Sequence, residues 1–454
     1  MSIKANILIA GSLIVSGLML GGPAVHASED VDSLKVELDR LRQQMQQAQQ
    51  AYEGQIGKLE SRIKSLESDP KHKKGQASAY SLESGEQSGF EIGLSGEIIA
   101  GGSSVEDAEL LNLQAGGGHD PVRNGFNVPN VELHVGGTVD PYLDAQATLV
   151  FAIDQEGETV VELEEAFATT RNLPNGLQAK AGQYFTEFGR HNTQHVHSWQ
   201  FVDQPVILSR LFGGDGLRSQ GARAAWLTPM PWYSEVIFGA QNARGETVPS
   251  FLGEAGEDVG GFTLLDRESR NLSDLLYSTR WLNGFDLTEE TSANFGLSAL
   301  HGPNATGSDT DTQIYGADLY VKWQPVKNQR GFPFVSWQTE ALLRDYEAGD
   351  QGTDGATNLE DWGIYTQTVW GFRTDWTAGL RLSFSEGDGL SGADPFRDRR
   401  YRASPALTWF PTEFSKLRLQ YNADSAEFLA EDDTAHTVWL QLEYNLGSHF
   451  AHTF

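Results

Sequence analysis

Sixteen stretches in which apolar and polar residues alternate run from Phe90 to Leu446, joined in turn by short Pro-rich turns and by long acidic loops. Alternation with period two places one set of side chains on each face of a strand. In lipid, a strand edge would expose N–H and C=O groups with no partner, and only a sheet closed on itself has no edge. The expected fold is therefore all-β: a 16-stranded antiparallel transmembrane β-barrel, preceded by an α-helical coiled coil. Strands are expected to begin near 89, 129, 142, 159, 176, 220, 232, 273, 289, 312, 332, 361, 375, 402, 414 and 435. The even count is that of bacterial single-chain barrels.

The connections fall into two classes. Asp140-Pro141, 172–176, 228–231, 373–375 and 411–413 are short; 101–126, 187–219, 241–272, 302–311, 347–360, 385–400 and 423–434 are mostly long and acidic. With the amino terminus in the periplasm, the short class lies on the periplasmic side and the long class outside. Parity also assigns the walls. Val438, Leu440, Leu442, Tyr444 and Leu446 share the lipid face of the last strand, and Thr437, Trp439, Gln441, Glu443 and Asn445 share its interior face. Leu417, Leu419 and Tyr421, Leu380, Leu382 and Phe384, and Trp232, Val236 and Phe238 face lipid on the same reasoning. Trp409, Phe410 and Phe414 belong at the headgroup boundary that aromatic rings prefer.

Ahead of the barrel, Lys4, the apolar run Ile7–Leu20 and Val25-His26-Ala27 read as a secretory signal peptide over 1–27. Residues 28–68 carry a heptad seam through Leu34, Leu38, Leu41, Met45, Ala48, Tyr52, Ile56, Leu59, Ile63 and Leu66. One extra step of four near Gly54 is a stutter, which unwinds a coiled coil locally without breaking it. A lone helix would leave that seam wet, so copies of the chain should associate through it, and three copies suit a trimer of barrels. Residues 69–88 read as a linker and 89–454 as the barrel.

The chain contains no cysteine, which excludes disulfides, thiolate chemistry and a lipoprotein anchor. Its formal charge of -29 falls wholly after residue 85, where 52 acidic residues face 23 basic ones. That excess repels nucleic acid, and in external loops it can be offset by divalent cations that bridge anionic lipid headgroups. Neither a nucleophile motif nor His-Glu-x-x-His accompanies the histidines, so an enzyme is not expected.

The order of signal peptide, Gln-rich coiled coil and sixteen strands resembles the outer-membrane porins with a periplasmic coiled coil, the phosphate-selective porin O/P and DcaP-like group. Trp409-Phe410-Pro411-Thr412-Glu413-Phe414-Ser415-Lys416-Leu417-Arg418-Leu419-Gln420-Tyr421 and His449-Phe450-Ala451-His452-Thr453-Phe454 also look like outer-membrane proteins called zinc-regulated porins or receptors. The resemblance implies an outer-membrane location in a Gram-negative bacterium and lipid contact. It also implies a homotrimer and recognition of terminal Phe454 by the barrel-assembly machinery. Only Lys180, Lys322, Lys327 and Lys416 supply lysine to the barrel, which departs from the lysine cluster of phosphate-selective relatives.

In sixteen-stranded porins the loop after strand five folds inward and narrows the channel, and here that loop is 187–219. It holds Glu187, Arg190, His191, His195, His197, Asp203, Arg210, Asp215 and Arg218. Parity points Lys180, Arg223, Arg280, Lys322, Arg381 and Arg418 into the lumen, against Glu132, Asp144, Glu162, Glu164, Glu235, Asp318, Glu340 and Glu443. Basic and acidic strips across a constriction orient dipolar solutes, and rings of one sign select ions. These residues are the expected pore lining of a channel for passive diffusion of small hydrophilic solutes or ions, with no cofactor required. The alternative is uptake of zinc or another divalent metal: His191, His195 and His197 with Asp203 or Glu187 would complete a tetrahedron around Zn²⁺. A plainer reading has the loop histidines hydrogen-bonding the wall and packing beside Trp199 and Phe201. A pH-responsive gate is a further possibility. Gly213-Gly214-Asp215-Gly216 reads as a tight turn rather than a phosphate cradle.

Overall fold

The computed structural model describes residues 90–114, 118–154, 157–352, 355–388, 394–429 and 434–447. The expected signal peptide, coiled coil and linker, and with them His449, His452 and Phe454, lie outside the described residues.

Sixteen long strands follow one another: β1 (Phe90–Ser103), β2 (Val131–Asp140), β3 (Leu143–Ile153), β4 (Thr159–Thr170), β5 (Leu177–Phe185), β6 (Arg218–Leu227), β7 (Tyr233–Asn242) and β8 (Leu275–Thr288). Then come β9 (Thr291–Pro303), β10 (Asp311–Trp323), β11 (Phe334–Ala348), β12 (Thr357–Arg373), β13 (Trp376–Gly387), β14 (Arg400–Thr412), β15 (Ser415–Ala426) and β16 (Thr434–Gly447). Each pairs antiparallel with its sequence neighbours. β16 pairs with β1, Leu446 opposite Leu94 and Val438 opposite Gly102, so the sheet closes. A short strand, Gly125–Asn127, adds to β1, and two seven-residue helices, α1 (Asp107–Leu113) and α2 (Val206–Phe212), lie in loops.

Turns such as 141–142 and 374–375 gather at one end, and the loops 104–130, 186–217 and 243–274 gather at the other. The exception to the short class is 324–333, a ten-residue connection between β10 and β11.

Alternation is clearest in β12, where Leu359, Asp361, Gly363, Tyr365, Gln367 and Val369 are buried while Trp362, Ile364 and Trp370 are exposed. An exposed surface built from Phe238, Leu297, Leu380, Leu382, Leu419, Val438, Leu440 and Leu446 is a lipid face, not a water face. Aromatic rings gather toward both ends. Trp226, Trp370, Trp409 and Phe414 lie near the short turns, and Trp362, Phe384, Tyr401 and Tyr421 lie toward the loops. Trp362 and Trp370 are eight residues apart on one strand, about 26 Å along it at roughly 3.3 Å per residue. A tilt of about 40° brings this to about 20 Å along the membrane normal, close to the roughly 25 Å apolar band of such barrels.

The interior is filled where sidedness alone would leave it wet. Phe188, Ile207, Leu208, Leu211, Phe212 and Leu217 of the inward loop pack with Leu276, Leu300, Ile314, Leu342 and Tyr365 of β8–β12. Val248, Phe251, Leu252 and Leu264 of the next long loop complete one buried apolar cluster. Glycines in the wall make room for it. A Cβ on Gly316 would sit 2.6 Å from the Phe188 ring, and one on Gly363 would sit 2.8 Å from Ile207.

Gly316→Val should therefore unseat Phe188 at a cost of about 1–3 kcal/mol, the usual penalty of overpacking. The expected result is a lower unfolding temperature in detergent together with faster proteolysis within 186–217. Unchanged melting and cleavage would mean that the loop is not held by this contact.

Candidate constriction and its electrostatic anchors

The loop enters the lumen because the wall is low where it departs. β5 ends at Phe185, and β4 pairs with it only through Ala166–Thr169. At that point β4 carries a bulge, so Glu164 and Glu165 are both buried although they are adjacent. From Phe185 the chain crosses to the opposite wall, where the Gly189 N–H donates to Ser298 Oγ at 3.1 Å and the His191 N–H to Glu340 Oε1 at 2.8 Å.

The far end is tied to the basic strip of β13–β15. Asp203 Oδ1 accepts from Arg381 and from Gln420 Nε2 (2.8 Å), and Oδ2 accepts from Arg402 Nη1 (2.9 Å) and Asn422 Nδ2 (2.7 Å). Burial alone would raise the Asp203 pKa, but Arg381 and Arg402 reverse the effect and hold it at about 2. Arg418 Nη2 donates to the Trp199 carbonyl (2.7 Å), and Lys416 Nζ donates to the His197 carbonyl (2.8 Å). Lys416 takes Glu443 at 2.5 Å, and Arg418 takes the Gln441 side chain at 2.6 Å.

The three loop histidines part company. Spacing suggests one helical turn, but residues 189–193 form turns and Val196–Ser198 a 3₁₀ turn, so the rings diverge. His191 packs at a tilt against Trp199 with ring centroids 5.0 Å apart and meets Tyr365 at 6.2 Å; neither ring nitrogen has a hydrogen-bond partner. Burial, with Arg381 adding to it, pushes its pKa down to about 3. His195 and His197 do come together, but around wall carboxylates. His195 Nε2 lies 3.0 Å from Glu165, His195 Nδ1 2.9 Å from Glu164, and His197 Nδ1 2.9 Å from Glu132. His134 of β2 and His119 of the preceding loop join them, His134 Nε2 at 2.8 Å from Glu132 and His119 Nε2 at 3.1 Å from Glu164. Neither Asp203 nor Glu187 is an oxygen ligand here. Asp203 is saturated by arginines, and Glu187 is held by Lys180 (3.0 Å) and Arg223 (2.9 Å).

Lys180, Glu187 and Arg223 thus meet and keep some solvent exposure. Arg190 lies over the Tyr320 ring at 3.8 Å, Arg280 grips Asp318 through bonds of 2.7 and 3.1 Å, and Lys322 sits 5.7 Å from the Phe334 ring centroid. Arg210 of α2 reaches out to the carbonyls of Arg397 (3.2 Å) and Asp398 (2.8 Å), and Arg218 pairs with Glu162, which parity also points inward.

Sequence reading missed Arg400, Arg402, Arg344 and Lys416 on the wall, and Glu165 and His119 beside the histidines. Strand β14 begins at Arg400, which puts Arg400 and Arg402 on the inward parity. Glu165 has the outward parity until the bulge reverses it.

His191 sets an acid limit on this packing. Its folded pKa lies below the unfolded value, so its contribution is present above about pH 6.5 and fades as pH falls toward 3. His191→Phe, which keeps the ring packing, should flatten the decline of unfolding temperature between pH 6.5 and 3. Identical acid limbs for the two proteins would show that His191 does not carry it.

No family model matches the chain. An uncharacterized protein of Aquifex aeolicus (strain VF5) is 31% identical over 390 residues, covering 78% of this chain and 77% of that protein. Among solved structures, the outer membrane channel DcaP of Acinetobacter baumannii superposes with a TM-score of 0.51 at 12% identity, over 79% of this chain and 96% of that one. OprB of Pseudomonas putida gives a TM-score of 0.47 at 11% identity, over 79% and 94%. The chain belongs to the family of the Aquifex aeolicus protein, and its closed sixteen-stranded barrel is the fold of the outer-membrane porins.

Proposed function

We propose that the chain is an outer-membrane channel for passive diffusion of small hydrophilic solutes or ions, with residues 186–217 as its constriction. The observation that carries this reading is the loop itself, which leaves β5, crosses the lumen and is fixed to β13–β15 by Asp203. The partly exposed Lys180 and Arg223 remain on the wall it leaves and pair with Glu187 at the loop's start. A polar strip beside a fixed loop supports selection by charge at a narrow point. The apolar cluster above it supports low conductance until the loop shifts. In this reading the working unit is a homotrimer joined through the coiled coil, and Phe454 addresses the chain to the barrel-assembly machinery.

Asp203→Ala leaves Arg381 without its buried carboxylate and Arg402 with Asp424 alone, and a stranded buried charge costs about 3–5 kcal/mol in comparable pairs. It should widen and destabilise the single-channel steps recorded in planar bilayers. Glu187→Gln leaves Lys180 and Arg223 uncompensated and should move the reversal potential toward anion preference. Protein that opens no steps, or steps indifferent to both changes, would sink the channel reading.

One observation favours a second reading, handling of Zn²⁺ or a similar divalent metal: His195 and His197 converge on buried carboxylates. Uptake by this route would appear as slower zinc accumulation in starved cells lacking the protein.

A further inference from the structure

Three buried carboxylates, Glu132 of β2 and Glu164 and Glu165 of β4, meet four histidines, His119, His134, His195 and His197, and the mechanism of a channel uses none of them. Glu132, Glu164 and Glu165 have only histidines within ion-pair distance among the described residues, whereas Asp203, Asp424 and Glu443 at the loop's far end each have an arginine or lysine. Three carboxylates in a dry site need compensating positive charge. The donor atoms also approach in an unusual way. His119 Nε2 and His195 Nδ1 lie 3.1 and 2.9 Å from Glu164, yet neither nitrogen nor either Glu164 oxygen is engaged in an aligned hydrogen bond. Glu164 is fully buried, with its oxygens turned into the cluster. Nitrogen and oxygen donors that converge this closely in poor hydrogen-bond alignment can share a cation.

We propose that Glu132, His134, His195 and Glu164 bind one divalent transition-metal ion of the Zn²⁺ class, clamping the inward loop to strands β2 and β4. Glu132, His134 and His195 each offer a donor atom within 4.8 Å of the others. The contacts Glu132–His134 (2.8 Å), Glu132–His195 (3.8 Å) and Glu164–His195 (2.9 Å) bracket the edge of about 3.3 Å in a tetrahedron with bonds of roughly 2.0–2.1 Å. Two imidazoles and two carboxylates form a borderline donor set suited to Zn²⁺.

The outer partners fit as well. Glu165 accepts from His195 Nε2 and from the Phe185 N–H (3.0 Å), which turns Nδ1 toward the cluster. Thr148 Oγ1 lies 3.0 Å from His134 Nδ1, leaving Nε2 inward. A carboxylate or hydroxyl behind each ligating imidazole is the usual way a metal site fixes its tautomers. A small recess lined by His119, Glu164, Phe185, His195, Asp215 and Gly216 gives an approach. The proposal takes its ligand class from the metal reading above and does not depend on conduction.

The test uses full-length protein in detergent, stripped with a chelator and titrated with ZnCl₂ alone. The expected result is one ion per chain and a higher unfolding temperature, with no bound ion held by the site after His134→Gln or His195→Gln. Glu165→Gln, a positioning change, should weaken affinity about 10–100-fold, and His191→Gln should leave it unchanged. Where a variant fails to insert, Co²⁺ added to the unaltered chain decides through its visible spectrum: intense tetrahedral bands support the site, weak octahedral ones oppose it. Absence of stoichiometric binding, or binding that survives His134→Gln and His195→Gln, would overturn the proposal and leave a histidine–carboxylate clamp held by protons. Channel steps without zinc binding would refute the metal site alone, and zinc binding without steps would refute conduction alone.

Discussion

Every backbone N–H and C=O at membrane depth must find its partner within the protein, and the rest of the structure follows from that requirement. It closes β16 onto β1 and fixes the register of every strand between them. Closure at sixteen strands then creates an interior too wide for wall side chains to fill, which is the problem that residues 186–217 solve. The loop carries its own apolar side chains inward, and the wall receives them at Gly316 and Gly363, positions where any side chain would collide. Lipid outside and packing inside thus impose opposite demands on successive residues of β12, whose alternation is correspondingly strict.

The buried charges are compensated in two chemically different ways at the two ends of the loop. At Asp203 a single carboxylate faces two guanidiniums and two amides, a saturated arrangement that needs nothing further. At Glu132, Glu164 and Glu165 carboxylates face imidazoles, whose charge is not fixed but set by protons or by a metal. The first is a permanent anchor. The second is an anchor whose strength answers to conditions, and it lies where the loop has just left the wall.

Most of the barrel was readable because its physics is local. A period of two identifies a strand, and turn length identifies its ends; all sixteen starts fall within four residues of the observed ones. The faces follow from parity, including inward Trp439 and outward Val438 and Leu440. The site was readable only in part. That loop 187–219 turns inward followed from resemblance, but the partners of its histidines are set by tertiary contacts that no spacing encodes. Glu165 was hidden by a bulge, His119 by its place in a loop of no periodicity, and Arg400 by a strand end misplaced by two residues. His191 was grouped with its neighbours because 191 and 195 are one helical turn apart, and no helix forms there.

The loop and the apolar cluster above it move as one body, if they move. Helix α2 begins three residues after Asp203, puts Ile207, Leu211 and Phe212 into the cluster and extends Arg210 to the carbonyls at 396–398. Releasing Asp203 therefore loosens α2, and α2 cannot shift without disturbing Val248, Phe251 and Leu252 of the neighbouring loop. A close-packed cluster resists gradual deformation and changes arrangement in steps. A displacement that begins at Asp203 must accordingly reach the loop 243–274, and anything that tightens the histidine cluster holds both in place.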